Sequence, residues 1–291
     1  MKIVIAGGSG FLGNFLKLKF KHLNHDVIVI TRQKTNMWSP VNLKEIINGA
    51  DVLINLSGRN INCTHNKKNK EQILNSRIKS TQLLLQAIRG CNEPPSLWIN
   101  ASASAIYKAN EFEPSTEKST EFSDGFLANV VREWEQEFFK SDLLYTRRVA
   151  LRTSVVLANN SGAYPVLRKL TKFGLGGKIG DGKQIFSWIH LEDYFRVVHF
   201  IVSNVDIIGV VNCSAPFPIS NNLLMKSFRK AVSIPFGLPA PEFAVKIGVK
   251  LIGTDADLVL KSSNVYPQAL LDKGFVFNFE TINEVLVDLE N

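Results

Sequence analysis

Gly7, Gly10 and Gly13 stand three residues apart, directly after the apolar run Lys2 to Ala6 and before apolar residues at helical spacing: Phe11, Leu12, Phe15, Leu16, Phe20 and Leu23. A strand, a glycine turn and a helix in that order make a cradle for a diphosphate. The first glycine permits the turn, the second lets the backbone approach the pyrophosphate, and the third lets the helix pack against the strand. The positive end of the helix then stabilises the anion, with Ser9 and the amides of Phe11 and Leu12 as its natural neighbours. At the end of the second strand, where a reader of a free ribose carries Asp or Glu, this chain has Thr31, Arg32, Gln33 and Lys34. An arginine there suits a 2′-phosphate, which tilts the cofactor to NADP(H).

His190 is the one histidine set in a motif, FSWIH, and an imidazole there could serve as acid or base near pH 7 or hold a loop by hydrogen bonds. His22 and His25 lie at a helix end and read as surface residues. The sequence contains neither a zinc-type histidine motif nor a serine-hydrolase G-x-S-x-G, so no metal is expected. Cys63, Cys91 and Cys213 are too far apart for metal or redox spacing and are expected to be reduced.

The elements that must carry these groups follow from the apolar pattern. Runs at Lys2 to Ala6, Val27 to Ile30, Val52 to Leu56, Leu97 to Ile99 and Arg148 to Leu151 alternate with helix-like stretches, above all Lys67 to Arg89. That alternation predicts an α/β fold, a parallel sheet wound on both faces by helices. Gly174, Gly176, Gly177, Gly180 and Gly182 crowd a later loop, after which Leu191 to Val202 reads as a helix and Val210 to Asn212 as a strand that rejoins the sheet. Prolines then punctuate helices expected at Asn221 to Val232, Glu242 to Leu251 and Ile282 to Leu289. Residues 1–157, with a return at about 183–213, are expected to bind the dinucleotide. Residues 158–182 and 214–291 are expected to form a smaller, mostly helical substrate-binding part.

The chain has 291 residues, of which 45% are hydrophobic and 21% charged, an ordinary globular balance. The net charge of +8 is spread out, and its densest cluster, Lys67, Lys68 and Lys70, is broken by Asn69 and lacks aromatic interleaving. A solvated basic surface and a small phosphorylated ligand account for this charge, so no nucleic-acid partner is expected. The longest oily stretch, Val197 to Val211, is interrupted by His199, Asn204 and Asp206, which argues against a membrane span. The apolar run at the start is too short for a secretory signal, and a cytoplasmic location is expected.

With the glycine turn and Asn55, Leu56, Ser57 and Gly58 after the third strand, the sequence resembles the extended short-chain dehydrogenases/reductases. Phe126 to Ala128, Trp134 and Glu135, the segment GLGGKIGDG (174–182), FSWIH (186–190) and Asp193 narrow the likeness. They resemble the atypical SDR39U1-like subgroup of the NAD-dependent epimerase/dehydratase family, end to end and including a DUF1731-type C-terminal domain. The resemblance implies a Rossmann-like NADP-binding domain with a substrate-binding C-terminal part. It also implies cofactor contacts at Thr31, Arg32, Leu56, Ser57, Gln72, Arg77 and Val156, beside Gly58 of the same loop.

Ordinary members of that superfamily move a proton with a tyrosine and a lysine four residues later. Here Glu111, Val149, Arg168, Val198 and Leu270 stand four residues after the five tyrosines, and the aligned helix offers Leu127 and Val131 instead. Ser102 to Tyr107 resembles the superfamily's active-site serine segment. Ser104 is therefore a candidate to bond a substrate oxygen, and Tyr107 a candidate proton donor if a neighbour such as Lys108 lowers its pKa. The expectation is an NADP(H)-dependent oxidoreductase or epimerase-like enzyme on a small carbonyl, hydroxyl or nucleotide-sugar-like substrate. The alternative is a catalytically silent NADP-binding module that reports redox state.

Overall fold

Six parallel strands frame the computed structural model, which describes residues 1–32, 36–245 and 260–291. In chain order the first part comprises β1 (Lys2–Ala6), α1 (Phe11–His22), β2 (Asp26–Ile30), α2 (Pro40–Ile47), β3 (Val52–Asn55), α3 (Lys67–Gly90) and β4 (Leu97–Ala103). A one-turn helix at Ser104–Ile106 follows, then α4 (Phe126–Phe139), β5 (Arg147–Thr153), β6 (Val155–Ala158), β7 (Ser161–Gly162) and α5 (Ala163–Lys172). After these come β8 (Ile185–Phe186), β9 (Trp188–His190), α6 (Leu191–Ser203), β10 (Gly209–Cys213), β11 (Ile219–Ser220) and α7 (Asn221–Ala231). Two last helices, α8 (Gln268–Asp272) and α9 (Ile282–Glu290), close the chain. The helix expected at Glu242 to Leu251 lies, beyond Val245, outside the described residues.

The main sheet has the order β2-β1-β3-β4-β5-β10, every pair parallel. The winding reverses between β1 and β3, and in open α/β sheets a ligand crevice opens at the carboxyl ends of the strands at such a reversal. Each buried strand presents alternate residues to two cores. Ile3, Ile5, Ile54, Ile99 and Leu151 pack with α1 and α6, while Val4, Leu53, Trp98 and Ala150 pack with residues of α2, α3 and α4. The doubly wound α/β fold expected from the alternating pattern is therefore present.

Helix α2 escaped the sequence reading although Ser39 caps it, accepting from the Asn42 amide at 3.3 Å, and Pro40 opens its first turn. Eight residues give too little periodicity to announce a helix. Strand β4 runs to Ala103, four residues beyond the expected end, so Ser102 lies within the sheet. Beyond it, β6, β7 and β9 form a second small sheet and β8 pairs with β11. Around them Tyr164, Trp188, Leu224, Phe228, Val285 and Leu286 build a separate core. The tail also returns to the first core, where Leu270, Phe275 and Phe277 are buried.

Candidate functional site

The turn between β1 and α1 is built from close approaches. Gly7 adopts φ +80°, and a Cβ there would meet Leu56 and Ser57 backbone at 2.8 Å; at Gly13 it would meet the Gly8 Cα at 2.5 Å. At Gly8, which the three-residue spacing did not single out, a Cβ would meet the Val29 side chain at 2.5 Å. Gly10 differs, because a Cβ there would meet only the Gly7 carbonyl, at 3.4 Å. Protein packing therefore explains Gly7 and Gly13, whereas the space in front of Gly10 is open. Helix α1 starts there with no side-chain cap and no acid in its first turn. The amides of Phe11 and Leu12 thus remain for an anion, with Ser9 exposed beside them.

Across the reversal, Asn55 at the end of β3 donates to Asn100 Oδ1 at 2.7 Å and accepts from the Ser57 amide at 3.0 Å, which fixes the loop Leu56-Ser57-Gly58. The Ser57 hydroxyl is enclosed with no hydrogen-bond partner among the described residues. Gly58 leaves room for Arg77, whose guanidinium carbon would lie 3.1 Å from a Cβ there. Arg77 donates to the Ile73 carbonyl at 3.0 Å and the Arg59 carbonyl at 3.1 Å, and its guanidinium lies 5.1 Å from the Trp134 ring centre. No carboxylate among the described residues meets it, and burial pushes its pKa down to about 10. The helix-surface ion pair that an arginine on α3 would ordinarily make is absent there.

Gln72 sits one and a half turns earlier on α3 and accepts from the Arg59 guanidinium, so Arg59 links Gln72 and Arg77 to the same loop. Thr31 is half-buried and Arg32 exposed at the carboxyl end of β2, and Arg32 forms no ion pair with a described residue. Gln33 and Lys34 lie outside the described residues. Val156 is half-buried on β6 and packs against the first core together with Leu56.

The reaction end is differently made. Ser104 opens the one-turn helix after β4 and Tyr107 follows it, both buried. The Tyr107 hydroxyl donates to Asn212 Oδ1 at 2.8 Å and accepts from Arg152 at 2.9 Å. Arg152 in turn grips Glu135 of α4 through two bonds, 2.8 and 2.6 Å, and Ser102 donates to the same carboxylate at 2.5 Å. Asn212 continues the chain: its amide donates to Glu117 and its side chain to the Tyr266 carbonyl.

This corrects the role expected of Lys108. Its ammonium lies in solvent 3.2 Å from Glu121, and the cation on Tyr107 is Arg152. Burial outweighs that cation and holds the phenol above its ordinary pKa. Arg152, Glu135 and Asn212 were not recognised as a unit. The available signal was a charge inside the apolar strand VALRTSVV, which in a buried strand requires a partner.

His190 is buried on β9, where its Nδ1 accepts from the Glu192 amide at 3.3 Å and caps α6. Its Nε2 faces Asp288 at 3.3 Å and its ring lies on Phe279 at 3.9 Å. These contacts tie α6 to the C-terminal segment, and burial lowers its pKa. Asp193 acts beside it, accepting from the amides of Asn278 and Phe279.

Trp188 of the same segment is wholly buried in the second core. The glycine-rich loop also has an internal explanation. A Cβ at Gly177 would meet the Leu238 carbonyl at 2.4 Å, and Leu238 and Ala240 donate to the Gly174 and Lys178 carbonyls. The backbone of 236–240 is zipped to the loop at a distance only glycine permits.

Comparison with known proteins agrees with this architecture. Residues 3–125 match the model of the NAD dependent epimerase/dehydratase family, and residues 240–289 match a domain of unknown function, DUF1731. An epimerase family protein of Staphylococcus aureus (strain N315) is 30% identical over 296 residues, covering 98% of each chain. One from Staphylococcus haemolyticus (strain JCSC1435) is 30% identical over 297 residues, covering 99% of this chain and 98% of its own.

Among solved structures, human epimerase family protein SDR39U1 (isoform 2) with NADPH superposes with a TM-score of 0.90 at 28% identity, covering 100% of this chain and 99% of that one. A nucleoside-diphosphate sugar epimerase from Corynebacterium glutamicum gives 0.80 at 28% identity, covering 100% of this chain and 58% of that one. A glycine turn shaped for a diphosphate, a likeness that runs end to end and a matching C-terminal region together mean that this chain belongs to the NAD dependent epimerase/dehydratase family.

Proposed function

We propose that this protein is an NADP(H)-dependent oxidoreductase or epimerase-like enzyme acting on a small carbonyl, hydroxyl or nucleotide-sugar-like substrate. The observation that carries the reading is the unmet positive character around the β1/β3 reversal. The uncapped α1 amides, the exposed Arg32 and the partly buried Arg77 face no protein carboxylate among the described residues. A dinucleotide with an extra ribose phosphate answers all three. When bound, such a coenzyme supplies or accepts a hydride.

The chain's own residues would then divide the work. The Phe11 and Leu12 amides would hold the diphosphate and Arg32 the 2′-phosphate, while Thr31, Leu56, Ser57, Gln72, Arg77 and Val156 would line the remainder. Residues 1–157 with 183–213 form the cofactor part in this reading, and 158–182 with 214–291 the substrate part. Ser104 would hold a substrate oxygen. The solved human relative described with NADPH supports the choice of coenzyme.

Arg32→Asp is expected to weaken NADPH binding by on the order of tenfold or more, and NADH binding less, because only the former loses a charge-assisted bond. Fluorescence titration of both coenzymes checks this, and equal losses would remove Arg32 from the role. A catalytically silent NADP-binding module is favoured by one observation: both hydrogen-bonding directions of the Tyr107 hydroxyl are already used within the protein. Single-turnover absorbance of bound NADPH against aldehydes, ketones and sugar nucleotides separates the two, since oxidation by any of them requires the enzyme.

A further inference from the structure

A second cleft opens where α6 meets the segment that follows α8. It encloses about 360 Å³ and is walled by Phe195 and Phe200 of α6 and by Phe275 of the tail. None of the residues assigned above to the coenzyme lines it, and neither does Ser104 or Tyr107. A volume of this size lies at the lower end of small-molecule sites, with room for one or two fused rings.

The cleft is built in advance of any ligand. Arg196 donates to Asp193 at 2.8 Å, and the same wholly buried carboxylate accepts from the amides of Asn278 and Phe279. Phe275 packs edge-on against Phe200 with ring centres 5.2 Å apart, and Gly274, at φ +80°, turns the chain out of α8 into that contact. Both walls are therefore held by the protein itself, which spares a ligand the cost of ordering them.

Polar groups converge on the same space. Arg196, His199 and Ser203 recur at intervals of three and four residues, so they share one face of α6, and all three line the cleft. Asp193 takes one Arg196 nitrogen; the rest of the guanidinium meets no acceptor among the described residues and lies 5.3 Å from the Phe275 ring centre. The His199 imidazole stands beside the rings of Phe20 and Phe195 and has no hydrogen bond to a described residue. No acidic side chain is among the described residues that line the cleft. Because Asp193 divides its charge between Arg196 and two amides, part of the cationic character of Arg196 remains for a ligand.

We infer that this cleft is a second ligand site, separate from the coenzyme crevice, for a planar aromatic molecule that carries a carboxylate. The ring is taken up by the phenylalanine walls, and the carboxylate by the open edge of Arg196, with His199 and Ser203 as further donors. A flat ring packs well on phenyl groups, and a guanidinium matches a carboxylate through paired N–H groups.

The test is isothermal titration of the full chain, with and without saturating NADPH, using indole-3-acetate and its neutral analogue of the same shape, indole-3-acetamide. Indole-3-acetate is expected to bind in both conditions, about tenfold more tightly than the amide, the worth of a charge-assisted hydrogen bond. Arg196→Gln is expected to weaken the acetate by about the same factor and to leave the amide unchanged, whereas general damage to the fold would weaken both alike. Ser203→Trp, which fills the cleft from an exposed position, is expected to abolish binding while the unfolding temperature holds. The inference is overturned if indole-3-acetate does not bind at millimolar concentration, if the amide binds equally well, or if the Arg196 variant loses both probes together. Binding retained in Ser203→Trp overturns it too, as does displacement by NADPH, which would put the probe in the coenzyme crevice. Failure of NADPH itself to bind would overturn the cofactor reading and leave this one standing.

Discussion

The two ends of the crevice treat polar groups in opposite ways. At the β1/β3 reversal the first amides of α1 have no side-chain cap, the Ser57 hydroxyl has no hydrogen-bond partner, and Arg77 meets carbonyls but no carboxylate among the described residues. At the ends of β4, β5 and β10, Ser102, Glu135, Arg152, Tyr107 and Asn212 satisfy one another in a closed chain. Unmet groups mark a place kept for a ligand, because leaving them unpaired costs stability unless something binds there. Satisfied groups mark a strut, and here the strut joins α4 to the sheet and, through Asn212 and Glu117, to the C-terminal segment.

The strongest way to break this contrast is Arg152→Met. Removing one partner of a buried pair strands the Glu135 charge and is expected to cost about 3–5 kcal/mol of stability. Denaturant unfolding measures it, with NADPH affinity of the folded fraction unchanged. A fully stable variant would show that the network is no strut.

Glycine substitutions sharpen the contrast at the other end. Gly13→Ala is expected to lose about 1–3 kcal/mol, because its Cβ would overlap the Gly8 backbone. Gly10→Ala is expected to lose less than about 1 kcal/mol, the scale of an N-cap change, while weakening NADPH binding more than Gly13→Ala does among folded molecules. Thermal unfolding with and without NADPH separates the two, and equal behaviour would mean that the space before Gly10 serves no ligand.

The smallest effect concerns His190. Its folded pKa lies below the unfolded value, so between those values the unfolded chain binds more protons and stability falls as the pH drops below about 6.5. In His190→Gln the decline of the unfolding temperature from pH 7 to 5 is expected to be shallower. An identical slope would remove His190 as a contributor.

The cofactor turn was legible because its signals are local. Gly7, Gly10 and Gly13 lie within seven residues, and the strand before them and the helix after them have clear periods. Helix α3 was equally plain across 24 residues: of the apolar stripe Ile73, Ile78, Leu83, Leu84 and Ile88, Ile73, Leu84 and Ile88 are buried and Ile78 and Leu83 half-buried. Tyr107 shows the opposite case. Its partners Arg152 and Asn212 are 45 and 105 residues away, so the adjacent Lys108 looked like the relevant cation when the fold had turned it to solvent. GLGG read as a motif without a reason until the backbone of 236–240 was found lying against it.

By itself the sequence determined the alternation of strand and helix, the place where a diphosphate can dock and the absence of a lysine four residues after any tyrosine. These depend on residue type and short spacing along the chain. Only the tertiary structure decided that Arg152 and Glu135 neutralise each other, that His190 braces the C-terminal segment, and that Val265 of the tail packs on Ile106 and Tyr107. Burial and partnership between distant segments exist only once the sheet has brought β4, β5, β10 and the tail together.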